Sequence, residues 1–196
     1  MTSPRILVFA GSARRDSLNK KLARIAAADA TVPGVEVTFI DLDDFAMPIY
    51  HGDLEAERGM PENGLKLREI FIAHNALIIS SPENNRSMSS LLKNTIDWLS
   101  RSVGDGKGLN SGLAPFRDKV AALLAASPGP YGGVRGLPHL RESLAALGVL
   151  VIGPQVALVR ADQAFDEHGA LRDEKVARTV KQTVGTLVET TRKMGL

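Results

Sequence analysis

The fold class follows from residues 6–12, which read Ile6-Leu7-Val8-Phe9-Ala10-Gly11-Ser12. Five apolar residues in a row that stop at a glycine and a serine are typical of a parallel strand buried on both faces. A helical pattern follows, with Leu18, Leu22 and Ile25 spaced three or four residues apart. A buried strand, a polar turn and an amphipathic helix predict a sheet of parallel strands connected by helices.

The same alternation continues to the end of the chain. Further strands are predicted at residues 35–40, 76–80, 120–125 and 149–152, the last with a continuation through 156–159 as an alternative. Helices are predicted at residues 62–74 and 89–101, from Pro138 onward and around residues 176–187, with long loops at 47–61 and 103–115. Five such units predict one doubly wound α/β domain across residues 1–196, since a chain of this length suits a single core.

The composition removes several classes of function. The chain has no cysteine, which excludes disulfides, thiolate metal sites and a cysteine nucleophile. Its four histidines lie far apart in the sequence, without the close pair typical of a zinc site. Aromatic residues make up 5% of the chain, which is few for a protein that stacks nucleic-acid bases. The chemistry must therefore be sought in the loops.

The charge pattern argues against nucleic-acid and membrane partners. The 24 basic and 22 acidic residues are interleaved, whereas a nucleic-acid binder clusters its basic residues. The longest stretch without a charged residue, 143–159, is interrupted by Gly148, Gly153 and Pro154 and is shorter than the roughly 20 apolar residues that cross a bilayer. The N-terminus lacks a signal-peptide pattern, so a cytoplasmic protein is expected.

Ligand chemistry is expected at the carboxyl ends of the strands, where doubly wound sheets bind their ligands. The loop after the first strand carries Ser12, Arg14, Ser17 and Asn19 just before a helix. Hydroxyls, an arginine and the amides of a helix N-terminus suit a phosphate monoester. The alternative is structural, with Ser12 in a turn, Ser17 as the helix N-cap and the arginine solvated. This loop alone does not decide between the two.

Two further loops leave neighbouring strands at the same edge. Residues 80–87 are unusually polar for a segment that leaves a buried strand, although Ser87 or Ser89 acting as a helix cap explains part of this polarity. Residues 127–133 contain three glycines, which allow the backbone to approach a flat ligand closely. The three loops together favour a ligand site at this edge of the sheet.

These three motifs resemble those of the NAD(P)H-dependent FMN reductase family, which includes flavin-dependent quinone, chromate and azo reductases. The matching residues, in chain order, are Gly11, Ser12, Arg14, Ser17 and Asn19, then Ser81, Pro82, Glu83, Asn85 and Ser87 with Leu92, Lys93, Asn94, Asp97 and Trp98, then Ser127, Pro128, Gly129, Gly132, Gly133 and Arg135. The resemblance implies a flavodoxin-like fold, a doubly wound sheet of five parallel strands in the order 2-1-3-4-5, with FMN as its cofactor.

The resemblance also implies which residues hold FMN. The phosphate ligands it implies are Ser12, Arg14, Ser17, Asn19 and the amide of Leu18. The residues it implies around the isoalloxazine ring are Pro82, Glu83, Asn84 and Asn85 on one edge and Ser127 and Gly129 on the other. Asn84 and Ser89 depart from the family, because many relatives have Tyr and Pro there.

A reaction and an assembly follow from the same resemblance. Hydride would pass from NAD(P)H through FMN to a quinone, a free flavin or a similar small acceptor. The cofactor then carries the chemistry, so no catalytic side chain is assigned. A dimer or tetramer is implied, with Trp98 and the loop 103–115 as candidate contacts.

Several polar and charged residues near these motifs have a structural interpretation beside the functional one. Lys93, Asn94 and Asp97 match the family, but a structural role on a helix surface is favoured for them. Arg101 and Arg135 are candidates for contact with the phosphate of the nicotinamide nucleotide or with a neighbouring subunit.

Two alternatives remain open from the sequence. One is a flavodoxin-like electron carrier without NAD(P)H activity, although such carriers tend to be strongly acidic and the net charge here is +2. The other is a phosphate-binding module that has kept the fold and lost the flavin. Oxidation of NAD(P)H with a quinone and uptake of FMN distinguish the three functions.

Overall fold

The computed structural model of the chain describes residues 3–104 and 109–196. The strands are β1 (Arg5–Ala10), β2 (Glu36–Phe39), β3 (Ala76–Ser80), β4 (Glu83–Asn84), β5 (Ser87–Met88), β6 (Val103–Gly104), β7 (Leu109–Asn110), β8 (Val120–Ala126) and β9 (Leu150–Leu158). The helices are α1 (Leu18–Ala30), α2 (Gly52–Arg58), α3 (Glu62–Ala73), α4 (Ser90–Leu99), α5 (Gly136–Ala146) and α6 (Glu174–Lys193), and a short 3₁₀ helix spans Leu42–Phe45.

Five of these strands form one parallel sheet in the order β2-β1-β3-β8-β9. Counted by the strands of this sheet alone, the order is 2-1-3-4-5, which confirms the predicted flavodoxin-like arrangement. Strands β3 and β8 are buried at every residue. Their burial on both faces explains why the sequence shows continuous apolar runs there and not an alternating pattern.

Helices cover both faces of the sheet, and each face has its own hydrophobic cluster. Ile6 and Val8 of β1 pack with the apolar faces of α1 and α6. Leu7 and Phe9 point to the opposite face and pack with residues from α3, α4 and α5. The alternation along one strand therefore joins the two layers of helices through a single sheet.

The structure adds elements where only loops are predicted. The segment 47–61 contains α2, which none of the predicted helices includes. None of the residues of α2 is buried, so this helix lacks the apolar stripe by which a helix is recognised in sequence. The segment 81–87 carries most of the β4–β5 hairpin, and the segment 103–115 carries the β6–β7 pair. Residues 105–108 of the second segment lie outside the described residues.

Two elements, β9 and α5, differ from their predicted bounds, and each contains a proline. Strand β9 is continuous across both predicted parts, and its register against β8 shifts between Ala121 and Leu123, opposite the segment that holds Pro154. A proline is tolerated there because β9 is an edge strand and the irregularity removes the need for its N–H. Helix α5 begins at Gly136, which places Pro138 inside the first turn, where a missing N–H costs little.

Candidate active site

A cleft of about 190 Å³ lies where the carboxyl ends of β1, β3 and β8 meet. The residues that line it are Ser12, Arg14, Ser17, Leu18, Asn19, Pro82, Glu83, Ala126, Ser127 and Pro128. The structure thus brings all the predicted phosphate ligands together with Pro82, Glu83 and Ser127. Ala126 and Pro128 also line the cleft; Pro128 belongs to the third motif, but neither residue is among the predicted FMN contacts.

The hydroxyl groups of the first loop accept hydrogen bonds from the backbone. The Ser12 hydroxyl accepts from the Arg14 N–H at 3.3 Å, and the Ser17 hydroxyl accepts from the Lys20 N–H at 3.3 Å as the N-cap of α1. The structural roles predicted for the two serines, a turn for Ser12 and the N-cap of α1 for Ser17, are therefore confirmed. Because each oxygen acts as an acceptor, each hydroxyl proton is still available to a ligand in the cleft.

The N-terminus of α1 supplies further donors to the same cleft. The first N–H groups of a helix have no carbonyl partner within the helix. The Ser17 cap takes the amide of Lys20, which leaves the amides of Leu18 and Asn19, two cleft-lining residues, as donors. The first turn of α1 contains no acidic residue. Hydroxyls, amides and the Arg14 guanidinium form a donor set that fits a phosphate monoester.

Asn19 connects the ends of three elements through its side chain. Its amide nitrogen donates to the Ala126 carbonyl at 2.8 Å. Its amide oxygen accepts from the Ala126 N–H at 2.9 Å and from the Ser80 hydroxyl at 2.9 Å. Most of the hydrogen-bonding capacity of Asn19 thus holds α1, β3 and β8 together, and one side-chain N–H is left for a ligand.

Gly11 and Ser89 connect the first loop to α4. Ser89 caps α4 by accepting from the Leu92 N–H at 3.2 Å, and its hydroxyl donates to the Gly11 carbonyl at 2.6 Å. A Cβ atom on Gly11 would lie 2.9 Å from the Ser89 oxygen, which is too close. Glycine at this position therefore allows the first loop to pack against the start of α4.

The second loop forms a wall of the cleft through the β4–β5 hairpin. Its turn residues Asn85 and Arg86 have φ angles of 49° and 65°, as in the tight two-residue turns that connect antiparallel strands. Glu83 lines the cleft, and its carboxylate accepts from the Arg135 N–H at the start of α5 at 2.9 Å. The Glu83 charge is thereby placed next to a helix N-terminus, where it is stabilised.

Asn84 and Asn85 lie apart from the other predicted ring contacts. Both line a neighbouring cavity of about 460 Å³, which also contains Ser87, Lys93 and His139. Glu83 lines the cleft and Asn84 lines this cavity, so β4 borders both. The assignment of Asn84 and Asn85 to the ring stays a prediction.

The third loop reaches the cleft through its first residues. The Gly129 N–H donates to the Ser127 hydroxyl at 3.2 Å, so Gly129 lies beside a cleft residue while Ser127 and Pro128 form the lining. Gly132 has a φ angle of 60°, and a Cβ atom there would lie 2.8 Å from the backbone carbons of Ala157 and Leu158. Glycine is required at this position because the loop packs directly on the backbone of β9.

The α4 residues that match the family motif make structural contacts. Asn94 donates to the Pro48 carbonyl at 2.9 Å and accepts from the Tyr50 N–H at 2.8 Å, and the Trp98 indole donates to the same Pro48 carbonyl at 2.8 Å. Lys93 and Asp97 form an exposed ion pair on one side of α4. These contacts favour the structural interpretation and fix the loop after the 3₁₀ helix onto α4.

Arg101 belongs to a cluster with Tyr50 and Glu55. Its guanidinium donates to the Glu55 carboxylate at 3.0 Å, and the Tyr50 hydroxyl donates to the other carboxylate oxygen at 2.8 Å. The hydrogen bond from Tyr50, followed by that from Arg101, lowers the pKa of Glu55, and the same bond to Glu55 raises the pKa of Tyr50. Arg101 is therefore engaged within the chain, while the Arg135 guanidinium stacks 3.7 Å from the centre of the Tyr131 ring.

Neither a cluster of metal ligands nor a membrane-spanning helix is found in the described part of the chain. Residues 3–104 and 109–196 show no group of three or more histidine, aspartate or glutamate side chains that would hold a metal ion. Within those ranges, no helix combines the length and apolar character needed to cross a membrane.

The sheet order defines a flavodoxin-like fold, and the cleft lies at the carboxyl ends of its strands, where doubly wound sheets bind their ligands. Residues 4–163 match the model of the NADPH-dependent FMN reductase family. The chain belongs to this family and is an oxidoreductase that uses FMN with NAD(P)H as the electron donor. Neither the electron carrier nor the flavin-free module is favoured by this finding.

Individual relatives agree with the family assignment. The chain is 34% identical over 184 residues to the NAD(P)H-dependent FMN reductase of Pseudomonas aeruginosa, covering 93% of this chain and 92% of the relative. It is 31% identical over 170 residues to a quinone reductase of Pseudomonas putida, covering 86% and 85%. The solved structure of the flavoenzyme NAD(P)H:(acceptor) oxidoreductase of Paracoccus denitrificans matches with a TM-score of 0.79 and 29% identity, over 97% of this chain and 98% of that one.

Proposed function

We propose that this chain holds FMN in the cleft, with the phosphate at the start of α1, and uses NAD(P)H to reduce a quinone or a similar small acceptor. The observation that carries the proposal is the convergence of three loops on one cleft whose donors suit a phosphate monoester. When bound, FMN supplies the hydride and electron transfer chemistry. The acceptor class is suggested by the quinone reductases among the relatives.

The first loop acts as the phosphate anchor. The hydroxyls of Ser12 and Ser17, the amides of Leu18 and Asn19 and the Arg14 guanidinium are the proposed ligands. Asn19 serves mainly to hold the loop against β3 and β8, and contributes one side-chain N–H. None of these groups donates or removes a proton in the reaction, since their role is to bind and orient.

The second and third loops act as the walls of the ring site. The cleft is smaller than the roughly 300 to 1,000 Å³ typical of small-molecule sites, so the ring must extend beyond it. Pro82, Glu83, Asn84 and Asn85 are proposed along one edge of the ring, and Ser127 and Gly129 along the other. The bond from the Arg135 N–H joins Glu83 of the first wall to the start of α5, which follows the third loop.

The proposal also covers the domain organisation, the oligomeric state and the cellular location of the protein. Residues 1–196 act as one FMN-binding domain, supported by the single sheet that both hydrophobic clusters share. The chain associates as a dimer or tetramer, and the reaction takes place in the cytoplasm, where reduced pyridine nucleotides are produced. Light scattering of the purified protein tests the assembly directly.

The experiment that tests the function combines binding with turnover. Purified protein is titrated with FMN, and oxidation of NADPH and NADH is then followed with a quinone as acceptor. The proposal expects saturable FMN binding and quinone-dependent oxidation of at least one donor. An FMN-loaded protein that oxidises neither donor would be an electron carrier, and a protein that takes up no FMN would be a different binding module.

A further inference from the structure

A lysine next to the phosphate loop, which we define as residues 11–17 between β1 and α1, is almost completely buried. The side chain of Lys20 is 5% exposed, and its Nζ atom lies 2.6 Å from Oδ2 of Asp41. The same Nζ donates to the Ala13 carbonyl at 3.3 Å. Lys20 does not line the cleft, and none of the roles proposed above uses it.

The pair is held in place from both sides. Lys20 lies in the first turn of α1, and Asp41 follows β2 as the N-cap of the 3₁₀ helix. Oδ1 of Asp41 accepts from the Asp43 N–H at 3.1 Å, so each carboxylate oxygen has a partner. A buried ammonium must be paired to persist, and Asp41 meets that need. The additional bond to Ala13 is therefore a separate contact with the loop.

Ala13 occupies the middle of the phosphate loop. It lies between Ser12 and Arg14, the two proposed ligands that precede α1. The start of the loop is fixed at Gly11, whose N–H donates to the Ser80 carbonyl at 2.9 Å, and its end is fixed by the Ser17 cap. Residues 13–16 between these points are exposed. The bond from Lys20 therefore connects the exposed part of the loop to the interior.

We propose that Lys20, held by Asp41, is a positioning residue that sets the Ser12–Arg14 backbone for binding the cofactor phosphate. The ammonium orients the Ala13 carbonyl toward itself, so this carbonyl dipole does not oppose an anion in the cleft. Ser12 and Arg14 are then preorganised on either side of that peptide. The inference rests on the proposed binding of FMN through its phosphate.

The test compares FMN with riboflavin, which has the same ring and lacks the phosphate. Dissociation constants for both are measured by flavin fluorescence in the wild type and in Lys20→Met, which removes the ammonium and keeps a similar volume. We expect the preference for FMN over riboflavin to fall about tenfold in Lys20→Met, with the riboflavin constant unchanged. A purely structural role would weaken both ligands equally or leave both constants unchanged.

The variant Asp41→Asn distinguishes positioning of the loop backbone by Lys20 from simple electrostatic attraction of the phosphate. It also provides the test if Lys20→Met does not fold. Positioning predicts that removal of the Asp41 charge also lowers the FMN preference, by less than Lys20→Met does, because Lys20 loses its anchor. A loss in Lys20→Met combined with a gain in Asp41→Asn would show attraction of charges alone and overturn the inference. The matched control is Lys66→Met, which breaks the exposed Lys66–Glu62 pair on α3 and should leave both constants unchanged.

The wild type itself distinguishes the two levels of the proposal. A wild type that binds FMN no tighter than riboflavin would overturn phosphate binding in the cleft and the proposed function with it. A wild type that prefers FMN, with the same preference retained in Lys20→Met and in Asp41→Asn, would overturn only the role of Lys20.

Discussion

Arg14 brings a full positive charge to a cleft whose other donors are hydroxyls and amides. We expect Arg14→Ala to weaken FMN binding by about 1.5 to 3 kcal/mol, the range of a hydrogen bond to a charged group. The lower end is expected because Arg14 is exposed and solvent screens its charge. Titration of FMN into the two proteins measures the difference.

Arg15 offers the matched control for this charge. It is the next residue along, it is also exposed, and it does not line the cleft. Arg15→Ala should therefore bind FMN nearly as the wild type does. Equal losses in the two variants would mean that Arg14 acts only through the general charge of the loop.

The contacts of Asn19 show which features of the site cannot be predicted from the sequence. The motif identifies Asn19 as a polar residue beside the phosphate, and the structure places it in the cleft. Its main partners are Ser80 and Ala126, which lie 61 and 107 positions away in the chain. Such contacts arise when parallel strand ends meet, and no local pattern in the sequence shows them. The caps at Ser17 and Ser89 are local, and both were among the possibilities the sequence raised.

At the scale of elements, the Asn19 side chain joins α1 to β3 and β8. Asn19→Ala leaves the buried Ser80 hydroxyl and the Ala126 backbone groups without this partner. Each such group costs about 1 to 3 kcal/mol, and the cleft admits water to some of them, so we expect unfolding free energy to fall by about 2 to 4 kcal/mol. Urea unfolding measures it. Asn63→Ala, which removes one exposed bond to Ala46, should cost less than about 1 kcal/mol, and an equal cost in both variants would contradict this account.

The contact between the third loop and β9 gives a second test at this scale. Gly132→Ala combines a positive φ angle with a Cβ placed 2.8 Å from backbone atoms of β9. We expect a loss of about 2 kcal/mol or more in stability, since backbone atoms cannot rotate away. Gly153→Ala adds a Cβ with no atom within 4 Å and should change the unfolding free energy little. Thermal unfolding of both variants compares the two, and similar melting temperatures would mean that the loop shifts without cost.

Among the elements, those with strong apolar patterns are the ones that were predicted. Strand β3 has the predicted bounds, and α3 and β8 differ by one residue, because burial leaves continuous or periodic apolar runs in the sequence. Helix α2 and the hairpin of β4 and β5 were not predicted. The former buries no residue, and the latter has only two residues in each strand. Elements of this kind are held by their neighbours and leave little trace in local sequence.

At the scale of the whole molecule, Lys119 lies at the amino end of β8, at the edge of the sheet opposite the cleft. Its side chain is buried and donates to the His74 carbonyl. Burial, together with the nearby charge of Arg5, lowers the pKa of Lys119 to about 8. The unfolded chain keeps this proton up to the ordinary lysine pKa of 10.5. The unfolded state therefore holds more protons between these two values, and raising the pH through that window favours the folded state.

Comparison with Lys119→Met isolates this effect from the other titrating groups. Between pH 7 and pH 10 the wild type should gain stability relative to the variant, by up to about 3 kcal/mol, because the wild type alone has this titration. Urea unfolding across the range measures the two curves. A constant difference between them would contradict a pKa of Lys119 that is lowered in the folded state.

The use of a cofactor also explains why the chain needs so few reactive side chains for catalysis. The chain has no cysteine and four histidines, and the cleft is lined by small polar residues, two prolines, a leucine, an alanine, one arginine and one glutamate. Such a site is suited to orienting a cofactor that carries its own chemistry. The sheet order is implied by the family resemblance, but the way the three loops share one cleft requires the tertiary structure.

The most direct test of the account is a reduction and reoxidation cycle on the FMN-loaded protein without oxygen. Addition of one equivalent of NADPH or NADH should bleach the visible absorbance of the bound flavin, and a quinone added afterwards should restore it. Full bleaching followed by recovery is the predicted result. A protein that retains FMN and is bleached by neither nucleotide would contradict the assignment as an NAD(P)H-dependent reductase.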